Sequence, residues 1–139
     1  MIKNKTALVF GTFDILHLGH LNFFKQAKKF GDILIVVVAR NATVKKVKGK
    51  LPKNNEKKRL KLVKNTEIVD QALLGLEGNK YKIIKKIKPD VICLGYDQSV
   101  FIDNLQNELD KQNLKTKIHR MKPYKENKYK SSKLKNIIK

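Results

Sequence analysis

The run ILIVVVA at 33–39 constrains the fold more than any other stretch, because it is apolar throughout and has no polar face. A strand of this kind is at home only where both of its faces are covered, as in the middle of a parallel sheet. The rest of the chain fits that setting. Strand-length apolar runs alternate with amphipathic stretches of helix length, which is the pattern of parallel strands joined by crossover helices. Strands are expected at 7–10, 33–39, 69–74, 91–94 and, as a polar-alternating edge, 115–121. Helices are expected at 18–30 with Gly31 as C-cap, 55–64, 80–88, 101–113 and, capped by serine, 131–138, while basic 41–54, with Gly49 and Pro52, reads as a loop. Right-handed crossovers then predict an α/β fold, a single doubly wound parallel sheet of five strands in one domain spanning 1–139.

Composition narrows the function classes. No run approaches the roughly 20 uncharged apolar residues of a membrane span, and the first residues lack a signal-peptide core. A protein without a membrane partner, located in the cytoplasm, is expected. The one cysteine, Cys93, sits in an apolar run and reads as a small buried hydrophobe. The formal charge of +20 is almost all lysine, spread along the chain, with arginine only at 40, 59 and 120. Tryptophan is absent and Phe and Tyr are sparse, so the stacking residues of a nucleic-acid module are missing and no specific nucleic-acid partner is expected. The positive field still favours polyanionic ligands, nucleoside triphosphates among them.

The chemistry concentrates where the first strand meets the first helix. Gly11 allows a tight turn, and Thr12 and Asp14 bring a hydroxyl and a carboxylate to the mouth of the helix. His17 and His20, three apart, share a face of its first turn, and Gly19 leaves room there for a ligand against the backbone. Two imidazoles beside the free N–H groups of a helix start form a cradle for phosphate and for charge growing on a transferring phosphoryl group. Capping or core histidines are the plain alternative. A zinc site would call for histidines four apart with a glutamate between them, so no metal ligands are assigned.

The segment GTFDILHLGH at 11–20 resembles the signature of the cytidylyltransferase-like family, nucleotidyltransferases of the HIGH superfamily with a Rossmann-like fold. Glycerol-3-phosphate cytidylyltransferases share the size and the element order. VVVARNATVKKVKGKLP at 36–52, VDQALLG at 69–75, KPDVICLGYDQ at 88–98 and KSSKLK at 130–135 are similar to the archaeal-type FAD synthases of the family. That resemblance implies ATP as donor, FMN as acceptor, Mg²⁺ or a similar divalent ion brought with ATP, and, as dimers are common in the family, a homodimer. It implies nucleotide binding by Gly11, Thr12, Phe13, Asp14, His17, Leu18, Gly19 and His20, with Asp97 after the fourth strand, Tyr124, and the serines Ser131 and Ser132 on the β- and γ-phosphates. Catalytic roles fall to His17, His20, Arg59 and a lysine among Lys46, Lys48 and Lys50, taken as Lys48. Asp97 also reads as a turn residue, Arg59 as a surface salt-bridging residue and the serines as plain N-caps. No Arg-Thr-Glu-Gly segment precedes the serines, a departure from the CTP-using enzymes. A glycerol-3-phosphate cytidylyltransferase, or a basic RNA-associated module on a degenerate nucleotide fold, are the competing readings.

Overall fold

Aspartates mark where the strands begin. Asp32, Asp70 and Asp90 each stand directly before a strand, and their carboxylates accept backbone N–H bonds from Lys5 (3.0 Å), Leu34 (2.7 Å) and Thr6 (2.8 Å). Burial pulls the Asp70 carboxyl up, but the ion pair with Lys28 and the Leu34 bond outweigh it and hold the group below its ordinary range. These bonds line up the amino ends of neighbouring strands. The opposite, carboxyl edge is left for a ligand.

In this computed structural model, which describes residues 4–76, 81–95 and 102–123, the elements run β1 (Thr6–Gly11), α1 (Leu18–Lys28), β2 (Ile33–Val38), α2 (Asn41–Lys48), α3 (Glu56–Lys64), β3 (Gln71–Leu74), α4 (Tyr81–Ile87), β4 (Val91–Leu94), α5 (Ile102–Lys111) and β5 (Lys117–Arg120). The strands form one sheet in the order β3-β2-β1-β4-β5. Every pairing is parallel, and β1 and β2 are in register from Thr6 opposite Ile33 to Gly11 opposite Val38. Strand order reverses between β1 and β4, so the ligand crevice of a doubly wound sheet opens at their carboxyl ends.

Strand β2 occupies a position covered on both sides, as its composition requires. Leu34, Val36 and Val38 pack with Ala7, Val9 and Cys93 against Phe24 and Ala27 of α1 and Val63 of α3. Ile35 and Val37 join Leu8, Ile92 and Leu94 on the other face, against Ile83 and Ile84 of α4 and Leu105 and Leu109 of α5. Each fully buried side chain of this size contributes about 1.5–3 kcal/mol. Cys93 is fully buried, and burial pushes its thiol up to about 12, which leaves it a packing residue.

Two expectations are corrected here. The basic segment read as a loop contains helix α2, ended by Gly49 in the left-handed conformation (φ 81°) with its N–H on the Lys45 carbonyl. Only Val44 anchors it in the core. Gly31 is not the cap of α1, which ends at Lys29 in right-handed geometry. A side chain at Gly31 would meet the Ala7 nitrogen at 2.8 Å and the Lys5 oxygen at 2.9 Å, so the residue is small because β1 passes against it. The expected helix at 131–138 lies outside the described residues. Among the described residues no helix is long and apolar enough to cross a membrane.

Candidate active site

The turn between β1 and α1 is built around an aromatic ring. Phe13 takes a left-handed backbone (φ 51°), a conformation that costs a side-chain-bearing residue roughly 1–2 kcal/mol. Its buried ring offsets that cost by packing on Phe24 (centroids 5.3 Å) and, edge to face, on His20 (5.4 Å). Gly11 is there for the same ring, since a Cβ at that position would lie 2.5 Å from Phe13 Cζ. Phe13 is thus the floor on which His20 rests.

The two histidines hold the start of α1 and each other. His17 is the N-cap; its Nδ1 accepts from the Gly19 N–H at 3.0 Å, and His20 Nδ1 accepts from the His17 N–H at 3.3 Å. A backbone N–H aimed at Nδ1 requires a lone pair there, so each neutral ring carries its proton on Nε2. The rings stack, 3.9 Å between centroids and 26° between planes. Burial, the His17 ring and the Lys48 charge push His20 down to about 4, against the pull of a backbone hydrogen bond at Ile15. Burial lowers His17 as well. At neutral pH the pair is thus two uncharged imidazoles, His17 with an Nε2–H donor and His20 with its one N–H turned to the Ile15 backbone.

Gly19 was expected to let a ligand reach the backbone. The structure gives the glycine a further reason: His17 Cε1 and Nδ1 would lie 2.7 and 2.9 Å from a Cβ at Gly19. Glycine is needed so that the capping imidazole can fold back over the helix.

A second set of bonds ties this turn to the segment after α2. The Asp14 carboxylate accepts from the backbone N–H groups of Lys53 (2.7 Å) and Asn54 (2.8 Å), and its carbonyl accepts from the Asn54 side chain (2.6 Å). Burial alone would raise the Asp14 carboxyl, but these bonds with the Arg59 and Lys53 charges hold it below its ordinary range. Arg59, fully buried, donates to the carbonyls of Asn54 (3.0 Å), Thr12 (2.9 Å) and Ala39 (2.6 Å) and to Asn41 Oδ1 (2.8 Å). Most donors of its guanidinium are thereby committed to the protein. It is neither the surface ion pair of the plain alternative nor a group reaching outward from the helix; it fastens β1, β2, α2 and α3 below the mouth. Glu56 completes the knot, accepting from Asn41 N–H (2.8 Å) and pairing with Arg40 (3.2 Å).

The structure therefore brings together Gly11, Thr12, Phe13, Asp14, His17, Leu18, Gly19, His20 and Arg59 at the carboxyl edge. Lys48, exposed at the end of α2, acts electrostatically on His20, which sets it apart from Lys46 and Lys50. Asp97, Tyr124, Ser131 and Ser132 lie outside the described residues. The roles of Asn41, Asn54 and Glu56 went unread in the sequence; the only signal was an Asn-Asn-Glu helix start. Among the described residues no group of three or more His, Cys, Asp or Glu side chains could hold a metal ion, and Asp14 is engaged with the backbone of its neighbours.

Residues 8–137 match the Cytidylyltransferase-like family. The FAD synthase of Thermoplasma volcanium is 46% identical over 114 residues, covering 82% of this chain and 80% of that protein. The FAD synthase of Methanothermus fervidus is 49% identical over 118 residues, covering 83% and 81%. Among solved structures, the lipopolysaccharide core biosynthesis protein from Thermoplasma volcanium superposes with a TM-score of 0.83 at 43% identity, covering 88% of this chain and 99% of that one.

Proposed function

This chain belongs to the cytidylyltransferase-like family, and from that premise we propose that it is an FAD synthase, an FMN adenylyltransferase that moves AMP from ATP onto FMN and releases pyrophosphate. The observation that carries the reading is the pair of neutral, backbone-fixed imidazoles at the start of α1, in a chain so similar to curated FAD synthases.

A phosphate oxygen of FMN attacks the α-phosphorus of ATP; the new P–O bond forms as the bond to the β-phosphate oxygen breaks, and the electron pair leaves with pyrophosphate. The protein need not supply a nucleophile. Its contribution is positioning and fixed dipoles. The Nε2–H of His17 donates to the α-phosphate oxygens as they gain charge, with the dipole of α1 behind it, and His20, whose single N–H is shared with the Ile15 backbone, adds its donor to the same phosphate. Being already oriented by Gly19 and His17 backbone bonds, they reorganise little during the step. Lys48 adds a positive charge over the same phosphates, and Arg59 serves as a positioning residue that keeps Thr12 and Asn54 in place. Asp97 and Tyr124 are assigned to the nucleoside, Ser131 and Ser132 to the leaving pyrophosphate. A divalent ion brought with ATP would supply further neutralisation of phosphate charge and would be held mainly by the phosphates, since among the described residues no group of three or more His, Cys, Asp or Glu side chains could hold it.

The test is a product assay. Purified protein with Mg²⁺ is given ATP or CTP, with FMN or glycerol 3-phosphate, and pyrophosphate and the coupled product are measured. FAD formation is expected, with ATP preferred over CTP by about tenfold or more, the size of one unmatched hydrogen bond to a base. Efficient use of CTP with glycerol 3-phosphate would overturn the assignment.

A further inference from the structure

Among the described residues the four most exposed large apolar side chains are Ile15 (58%), Leu18 (52%), Val47 (48%) and Leu51 (59%). All four belong to the two segments that meet at the candidate active site. Ile15 and Leu18 flank His17 in the turn, Val47 precedes the lysine that acts on His20, and Leu51 lies just before the Lys53 and Asn54 groups bonded to Asp14. The Asp14 bonds thus tie together the two segments that carry these apolar side chains.

We propose that this apolar rim seats the isoalloxazine ring of the acceptor, an inference that rests on the FAD synthase reading above. Three considerations select that occupant. The donor nucleoside has its place at the switch point between β1 and β4, whereas α2 and the 49–55 segment follow β2 on the other side of the turn. The polarity also matches: FMN joins a flat, largely apolar ring system to a phosphate, and the rim adjoins two imidazole donors and Lys48. A small polyol phosphate would have no use for such walls. Lastly, these four side chains alone fall short of the interface core of a dimer, which needs roughly 800 Å² on each partner.

Because these residues are exposed, polar substitutions there leave the packed core untouched. Ile15→Ser, Val47→Ser and Leu51→Ser are to be compared with wild type by quenching of FMN fluorescence on binding and by separate KM values for FMN and ATP. Losing one apolar wall should weaken FMN binding and raise its KM about tenfold, the equivalent of about 1.4 kcal/mol, with the KM for ATP unchanged. An Ile15→Ser/Leu51→Ser double variant that binds FMN as wild type does would overturn the proposal. So would a dimer of wild type that dissociates in these variants while FMN affinity holds, since the rim would then be a contact between copies. The two readings fail differently. Wild type that binds FMN but makes no FAD sinks the enzymatic assignment and leaves the seat to be judged by fluorescence alone; wild type that does neither sinks both.

Discussion

Replacing His20 by glutamine separates the charge of this residue from its structural duty. Glutamine at the third position of a helix completes a capping box as His20 does, accepting the His17 N–H, but it does not titrate. In the unfolded chain the imidazole titrates near 6.5, and in the fold at about 4. Between these values the unfolded chain takes up a proton that the folded chain refuses. Stability associated with the neutral ring is therefore complete above pH 6.5 and is lost as the pH falls toward 4. At about 1.4 kcal/mol per pH unit, the window amounts to about 3 kcal/mol. That is a large part of the roughly 5–15 kcal/mol that keeps a domain folded. Urea unfolding followed by circular dichroism, in steps from pH 7 to pH 4, should show wild type losing about 3 kcal/mol more than His20→Gln. Acidic groups such as Asp14 and Asp70 titrate in both proteins and drop out of the difference. Parallel curves for the two proteins would refute the reasoning, because His20 would then be protonated in the fold as readily as out of it.

Arg59→Met leaves the Thr12, Ala39 and Asn54 carbonyls without their buried donor and should cost about 3–5 kcal/mol in urea unfolding; a loss below about 1 kcal/mol would show that water replaces the guanidinium. Gly19→Ala drives a methyl into the His17 ring, so turnover should fall about tenfold or more while the better helix propensity of alanine keeps the melting temperature close to wild type. Unchanged turnover would mean that His17 is not held where the chemistry occurs. Lys48→Ala should lower kcat/KM about tenfold, the loss of one charged phosphate contact, while Lys46→Ala and Lys50→Ala should not; equal effects of all three would make the contact a diffuse field.

The fold was legible where a residue's neighbours in sequence determine its surroundings. The unbroken 33–39 run could only be a doubly covered strand, and the observed β2 differs from it by one terminal residue. Helix α2 was not legible, for an energetic reason. Eight residues with three β-branched side chains, Thr43, Val44 and Val47, and a single core contact at Val44 do not make a helix by periodicity. Its start is held from outside, through the Asn41 and Glu56 bond, and its end by Gly49, which in the sequence looked like loop punctuation.

The site shows the same division. His17 and His20 were legible because their spacing, helix start and flanking glycine all lie within a few residues, and the stacked pair at the N-cap is what that spacing can build. The reasons for the glycines were not. Gly11 makes room for Phe13 and Gly19 for His17, contacts of side chains with their own neighbours that spacing alone does not announce. Arg59 was the hardest to read, because its partners are mostly backbone carbonyls of Thr12, Ala39 and Asn54, and a carbonyl has no residue type to betray it. A buried arginine in a chain so rich in exposed lysine is nevertheless a physical clue. Lysine carries three donors on one nitrogen, whereas the planar fork of Arg59 reaches four acceptors from several segments at once, so at such a position the rarer residue marks the joint on which the mouth of the site is hung.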